Sequence, residues 1–174
     1  MFDRSTFWPE TPDWTRAHIT APGLEITVAR GDRAVFLLGG AAEAISALAA
    51  PCMGGDAARL LPIAPDRALL VAAPGTELAE GWHDSGVAVS ALPDAHLRFD
   101  IRGPGAAALL RRGSMSLALA GDSPVTGAAL GFAGVTVLVE QLADGARLHV
   151  EHPLAAHIWH WLLAATSGTP EDQS

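Results

Sequence analysis

The sequence contains no lysine, no tyrosine and no asparagine, and only one cysteine. Its side-chain cations are therefore 11 arginines, apart from any protonated histidine, set against 19 carboxylates for a formal charge of −8. A chain this acidic lacks the clustered cations that phosphates require, so no nucleic-acid partner is expected. The missing residue types, beside abundant Ala, Gly, Arg and Pro, read as a genomic base bias rather than as function. With Cys52 alone, an internal disulfide and a cysteine-based zinc site are both excluded. No apolar run reaches the roughly 18 residues of a membrane helix. The opening MFDRSTFWPETPDW is aromatic and polar, not the apolar core of a leader. No membrane contact and a cytoplasmic location follow as expectations.

What is present suits a folded domain: 49% of the residues are apolar and 17% are charged, enough to bury a sizeable core. Residues 1–22 hold Phe2, Phe7, Trp8 and Trp14 among Pro9, Pro12 and Pro22, and read as an irregular aromatic arm. Such an arm has no core of its own and must lie on this domain or on a partner. From Leu24 the pattern turns regular. LEITVAR and AVFLL read as strands, GGAAEAISALAA as a helix, and RLLPI and RALLVA as two more strands. APGTELAEGWHDSG reads as a polar connector with one short helix.

The plan then restarts. GVAVSAL and HLRFDIR read as strands, PGAAALLRR as a helix, and VTGAALGF, VTVLVEQ and RLHVE as strands. Aligning Gly39 with Gly103 superposes two halves, about 23–75 and 86–166, each strand–strand–helix–strand–strand. The expected fold is α+β, with two related, mostly antiparallel halves and helices on one face. A terminal helix follows Pro153, with Leu154, Ile158, Trp161, Leu162 and Ala165 as its stripe. Trp159 and Leu163 lie opposite, which makes them candidate partner contacts. Residues 167–174 read as a flexible tail.

The stretch FDIRGPGAAALL raises a sharper possibility. Gly103, Gly105 and Ala108 fit G-x-G-x-x-A after a strand, and Asp122 lies downstream where a ribose hydroxyl would be held. Three features oppose a dinucleotide site. The strand alternates, with Leu97, Phe99 and Ile101 on one side and Arg98, Asp100 and Arg102 on the other, whereas a Rossmann strand is apolar on both. Asp122 sits in a turn, AGDSP. Pro104 offers no N–H to a phosphate. The better reading makes Gly103 a tight turn and Pro104 the first helical residue.

Other chemistry is sparse. His149, His152, His157 and His160 cluster in sequence beside Glu151, and His157 and His160 share the i,i+3 spacing of a metal pair. His149 belongs to a strand, however, and H-E-x-x-H is absent. Ser90, Ser114, Ser116 and Ser123 lie in no nucleophile elbow. Most carboxylates fall in turns, where they satisfy backbone donors. No catalytic, cofactor or metal residue is expected on this chain.

The residues LPIAPDRALLVAAPG, VAVSALPDAHLRFDIRGPGAAALLRRG and HPLAAHIWHWL resemble the gamma subunits of heterotetrameric sarcosine oxidases. Ile101, Gly103, Pro104, Ala106, Leu109 and Leu110 match that family's Leu-x-Gly-Pro-x-Ala-x-x-Leu-Leu. Trp159, Trp161 and Leu162 match its terminal Trp-x-Trp-Leu. The resemblance spans about residues 59–165. It implies a domain over 23–166 of the folded type shared with folate-binding aminomethyltransferases. It also implies a non-catalytic assembly subunit of a complex that oxidatively demethylates sarcosine or a related N-methyl amino acid. The one-carbon unit would pass to tetrahydrofolate, with alpha, beta and delta subunits as partners. FAD, FMN, NAD and zinc would lie in those subunits, and none on this chain. Phe7, Trp8, Trp14, Trp159 and Leu163 would be the contacts. The alternative is a stand-alone folate-binding domain with Asp100 as the acidic anchor for the pterin.

Overall fold

The structure, a computed structural model, describes residues 10–29, 33–54, 58–114 and 127–167. A hairpin of β1 (His18–Ala21) and β2 (Leu24–Ala29) leads to β3 (Ala34–Gly39), α1 (Ala42–Ala49), β4 (Arg59–Ala64) and β5 (Arg67–Ala72). A second hairpin, β6 (Gly81–Trp82) and β7 (Ala88–Ala91), leads to β8 (His96–Arg102) and α2 (Ala106–Gly113). Then come β9 (Gly127–Phe132), β10 (Val135–Leu142), β11 (Gly145–Glu151) and α3 (His152–Ser167). All pairings are antiparallel, in a six-stranded sheet β1-β2-β8-β11-β10-β9 and a five-stranded sheet β4-β5-β3-β7-β6. This is the expected α+β class with a C-terminal helix.

The two sheets are not the two halves. The first repeat's hairpin β1-β2 pairs with β8 of the second, and the second repeat's hairpin β6-β7 pairs with β3 of the first. The registers correspond: Thr27 faces Asp100 as Ser90 faces Leu37. The equivalences are therefore β1/β6, β2/β7, β3/β8, α1/α2, β4/β10 and β5/β11, with β9 added at one edge. Local alternation finds strands but carries no information on which strand they join, so the exchange was invisible in sequence. His18–Ala21, expected to be irregular, is a strand, and the expected connector helix is instead the short strand β6.

Alternation along each strand builds a helix–sheet–sheet–helix stack. Phe36, Leu38, Ala68 and Leu70 face α1 through Ile45 and Ala49. Phe99, Ile101, Leu148 and Val150 face α2 and α3. Between the sheets Leu61, Leu69 and Val71 meet Leu138. Leu61 fills the space that a side chain at Gly127 would need, which lets β4 and β9 approach closely.

Candidate functional site

The glycine turn comes first. The Gly103 N–H donates to the Asp144 carbonyl at 2.9 Å, that of Gly105 to the Gly23 carbonyl at 3.0 Å, and that of Ala106 to Gly103 at 3.0 Å. These are the donors a phosphate would need, and all three are engaged. A β-carbon on Gly103, at φ 103°, would lie 2.5 Å from the Gly23 oxygen. The first repeat does the same: Gly40 N–H donates to Asp66 at 2.9 Å, and a β-carbon there would lie 2.6 Å from the Gly86 oxygen. Gly40, not Gly39, is thus the structural counterpart of Gly103. The motif is the point where an exchanged hairpin crosses a strand-to-helix turn. Beside it an apolar groove of about 400 Å³ is lined by Pro104, Ala106, Leu110, Leu142 and Asp144. Asp122, Ser116 and Ser123 lie outside the described residues.

The polar faces of the sheets enclose an ionic cluster. Glu140 on β10, with its side chain 3% exposed, accepts from Arg59 of the other sheet at 3.0 Å. It also meets Arg147 at 3.6 Å and His149 at 3.3 Å. Arg147 grips Asp100 through two bonds of 2.6 and 2.8 Å, and Arg102 grips Asp144 at 2.8 Å. Burial pushes the Glu140 carboxyl up, but His149, Arg147 and Arg59 together outweigh it and hold it below its ordinary value. Asp100 likewise ends low: Arg147, Arg98 and Arg102 overcome its burial. His149 is pushed down by burial, more than the Glu140 carboxylate raises it. His96 is lowered by burial and by His149. Glu140 and His149 have the pairing of an acid–base dyad, yet both are sealed from any substrate. Asp100, clamped by Arg147, has both carboxylate oxygens occupied and is a poor anchor for a pterin.

The histidines that lie close in sequence bond to different parts of the chain. His152 bonds the Asp94 carbonyl, His157 donates to Ala133 at 2.7 Å and His160 meets the Glu10 carbonyl at 3.1 Å. Among the described residues no three His, Cys, Asp or Glu side chains group as metal ligands. No helix among them is long and apolar enough to cross a membrane.

The aromatic candidates divide. Phe7 and Trp8 lie outside the described residues. Trp14 and Trp159 are 7% and 5% exposed and belong to the chain's own core. Their rings stand edge-on at 6.2 Å, and Trp159 stacks on Phe99 at 6.1 Å. The buried stripe of α3 is Ala155, Ile158, Trp159, Leu162 and Ala165, rotated from the expected one so that Trp159 points inward. Both stripes satisfy helical spacing in a helix apolar on several sides; the cleft between Trp14 and Phe99 selects the observed one. Leu163 is 36% exposed. Sequence reasoning passed over Trp82, which is 75% exposed on β6. A lone tryptophan within a polar, acidic connector was the available signal.

Two antiparallel sheets that trade hairpins across a pseudo-twofold, with α1 on one outer face and α2 and α3 on the other, define a fold related to sarcosine oxidase. It is similar to a chain of the heterotetrameric sarcosine oxidase from Corynebacterium sp. U-96, solved in complex with pyrrole 2-carboxylate. The TM-score is 0.66 at 19% identity, over 83% of this chain and 84% of that one. No protein-family model and no curated protein matches the chain.

Proposed function

We propose that this chain is a gamma-type, non-catalytic assembly subunit of a heterotetrameric sarcosine-oxidase-like flavoenzyme. The complex would oxidise sarcosine or a related N-methyl amino acid and pass the one-carbon unit to tetrahydrofolate. The observation that carries the reading is the match of fold over more than four-fifths of both chains, from a neighbour that is itself heterotetrameric. The Gly-Pro and Trp-x-Trp-Leu residues support it from the sequence side. In this reading FAD, FMN, NAD and zinc reside in alpha, beta and delta partners, and Leu163 is one contact residue. Trp14 and Trp159 support assembly indirectly, by fixing the helix that presents Leu163.

The test is gentle purification of the tagged chain from its own host, with mass and visible spectrum recorded. A yellow particle with larger flavin-bearing chains and N-methyl amino acid oxidase activity is expected. A colourless single chain would overturn the reading.

A further inference from the structure

The pseudo-twofold supplies an internal control for surface chemistry. On the second face of the six-stranded sheet, Asp100, Thr27, Glu25 and Thr20 occupy successive ladder positions across β8, β2 and β1. The matching positions across β3, β7 and β6 are Leu37, Ser90, Ala88 and Trp82. One copy of the face is polar, with Asp100 held by Arg147 and Glu25 beside His18 at 3.4 Å. The other is an open groove of about 320 Å³, lined by Leu37, Ala88, Ser90 and Trp82 together with Asp66 and Arg67. The same backbone therefore folds with polar residues here, and the apolar set is not required by the fold. An indole left 75% in water is the largest exposed apolar side chain among the described residues, and such rings anchor interfaces.

Charge selects the occupant. Glu77, Glu80 and Asp84 surround Trp82 in sequence and are all exposed, and Asp66 lines the groove; Arg67, also in the lining, is the one arginine or lysine from residue 67 to 97. A second copy of a chain carrying −8 would bring the same acids against these. Like-charge juxtaposition disfavours that pairing and favours a basic one. We propose that this groove docks a different protein chain, one that presents an apolar pocket for the Trp82 indole within a rim of lysines and arginines. The proposal rests on the assembly-subunit reading for the partner's existence, and on the face itself for its chemistry.

The chain's lack of lysine makes a clean experiment possible. The native particle is treated with a carbodiimide, which joins carboxylates to amines without a spacer. A cross-link from Glu77, Glu80 or Asp84 to a lysine can then only reach another kind of chain. In parallel, hydroxyl-radical oxidation compares Trp82 with the half-buried Trp161. The expected result is cross-links to partner lysines and a Trp82 less oxidised than Trp161. Trp82→Ala should lower partner recovery by about thirtyfold, as for an interface centre, with the melting temperature of the chain unchanged. A yellow complex in which Trp82 is the more oxidised ring overturns this proposal and leaves the assembly reading standing. A protected, cross-linked Trp82 in a particle without flavin supports the docking face and overturns the assembly reading. Protection in a particle made of this chain alone means a second copy, and overturns the basic-partner proposal.

Discussion

The carbonyl oxygen of Gly23 stands 2.5 Å from where a β-carbon on Gly103 would be. Glycine is required there twice over, by the close approach and by a φ of 103°. Gly103→Ala should destabilise the chain by about 2 kcal/mol or more, through strain added to backbone overlap. Gly40→Ala should behave alike, since the Gly86 oxygen occupies the same place in the other repeat. Gly105→Ala, with a nearest approach of 3.2 Å, should cost less. Urea unfolding of the three variants checks the order; equal losses would refute the crossing as the reason for the motif.

Glu140 joins the sheets because Arg59 comes from one and Arg147 and His149 from the other. Glu140→Ala should cost about 3 kcal/mol, because it leaves buried partners without their counter-charge. Arg59→Met should cost much less, since Arg59 keeps 36% of its side chain in solvent. In a double-mutant cycle the two changes should be clearly non-additive. Additivity would mean that the cross-sheet bond contributes nothing.

Stability should fall with acid in two stages. His149 and His96 are lowered from 6.5, so the unfolded chain binds protons there that the folded chain refuses. Stability therefore rises with pH through this range, and is lost as pH drops below about 6.5. The groups facing His149 are Glu140, Arg98, Arg147 and His96. The second stage comes from Glu140 and Asp100, lowered from 4.5 and 3.8, whose contribution disappears as pH falls through their folded values. His149→Gln should flatten the upper stage and leave the Asp100 part of the lower one. Denaturant titrations between pH 2 and 8 would show this, and an unchanged upper slope would refute it.

Trp14, Phe99 and Trp159 form one packed unit. Trp159→Ala should cost about 3–5 kcal/mol of the chain's own stability. Trp14→Phe should cost far less than Trp14→Ala, because the buried Trp14 Nε1 has no acceptor among the described residues and its removal offsets lost packing. Leu163→Ala should change stability by under about 0.5 kcal/mol. Thermal unfolding separates these core residues from the surface one; a large loss for Leu163→Ala would place it in the core.

Much of this protein was legible one strand at a time. The alternation of β8 announced an apolar face of Leu97, Phe99 and Ile101 and a charged face of Arg98, Asp100 and Arg102, and both are observed. The period of a strand or helix is local, and so is the chemistry of a glycine turn, so sequence alone determined most of the elements and their class, but not the short strands β1 and β6. Partnership is not local. Nothing in LEITVA says that it pairs with HLRFDIR instead of AVFLL, because hydrogen-bonding backbones are alike and each neighbour offers an apolar face. Only the tertiary structure decided the exchange of hairpins. With it came the inward turn of Trp159, the meeting of Arg59 with Glu140, and the exposure of Trp82.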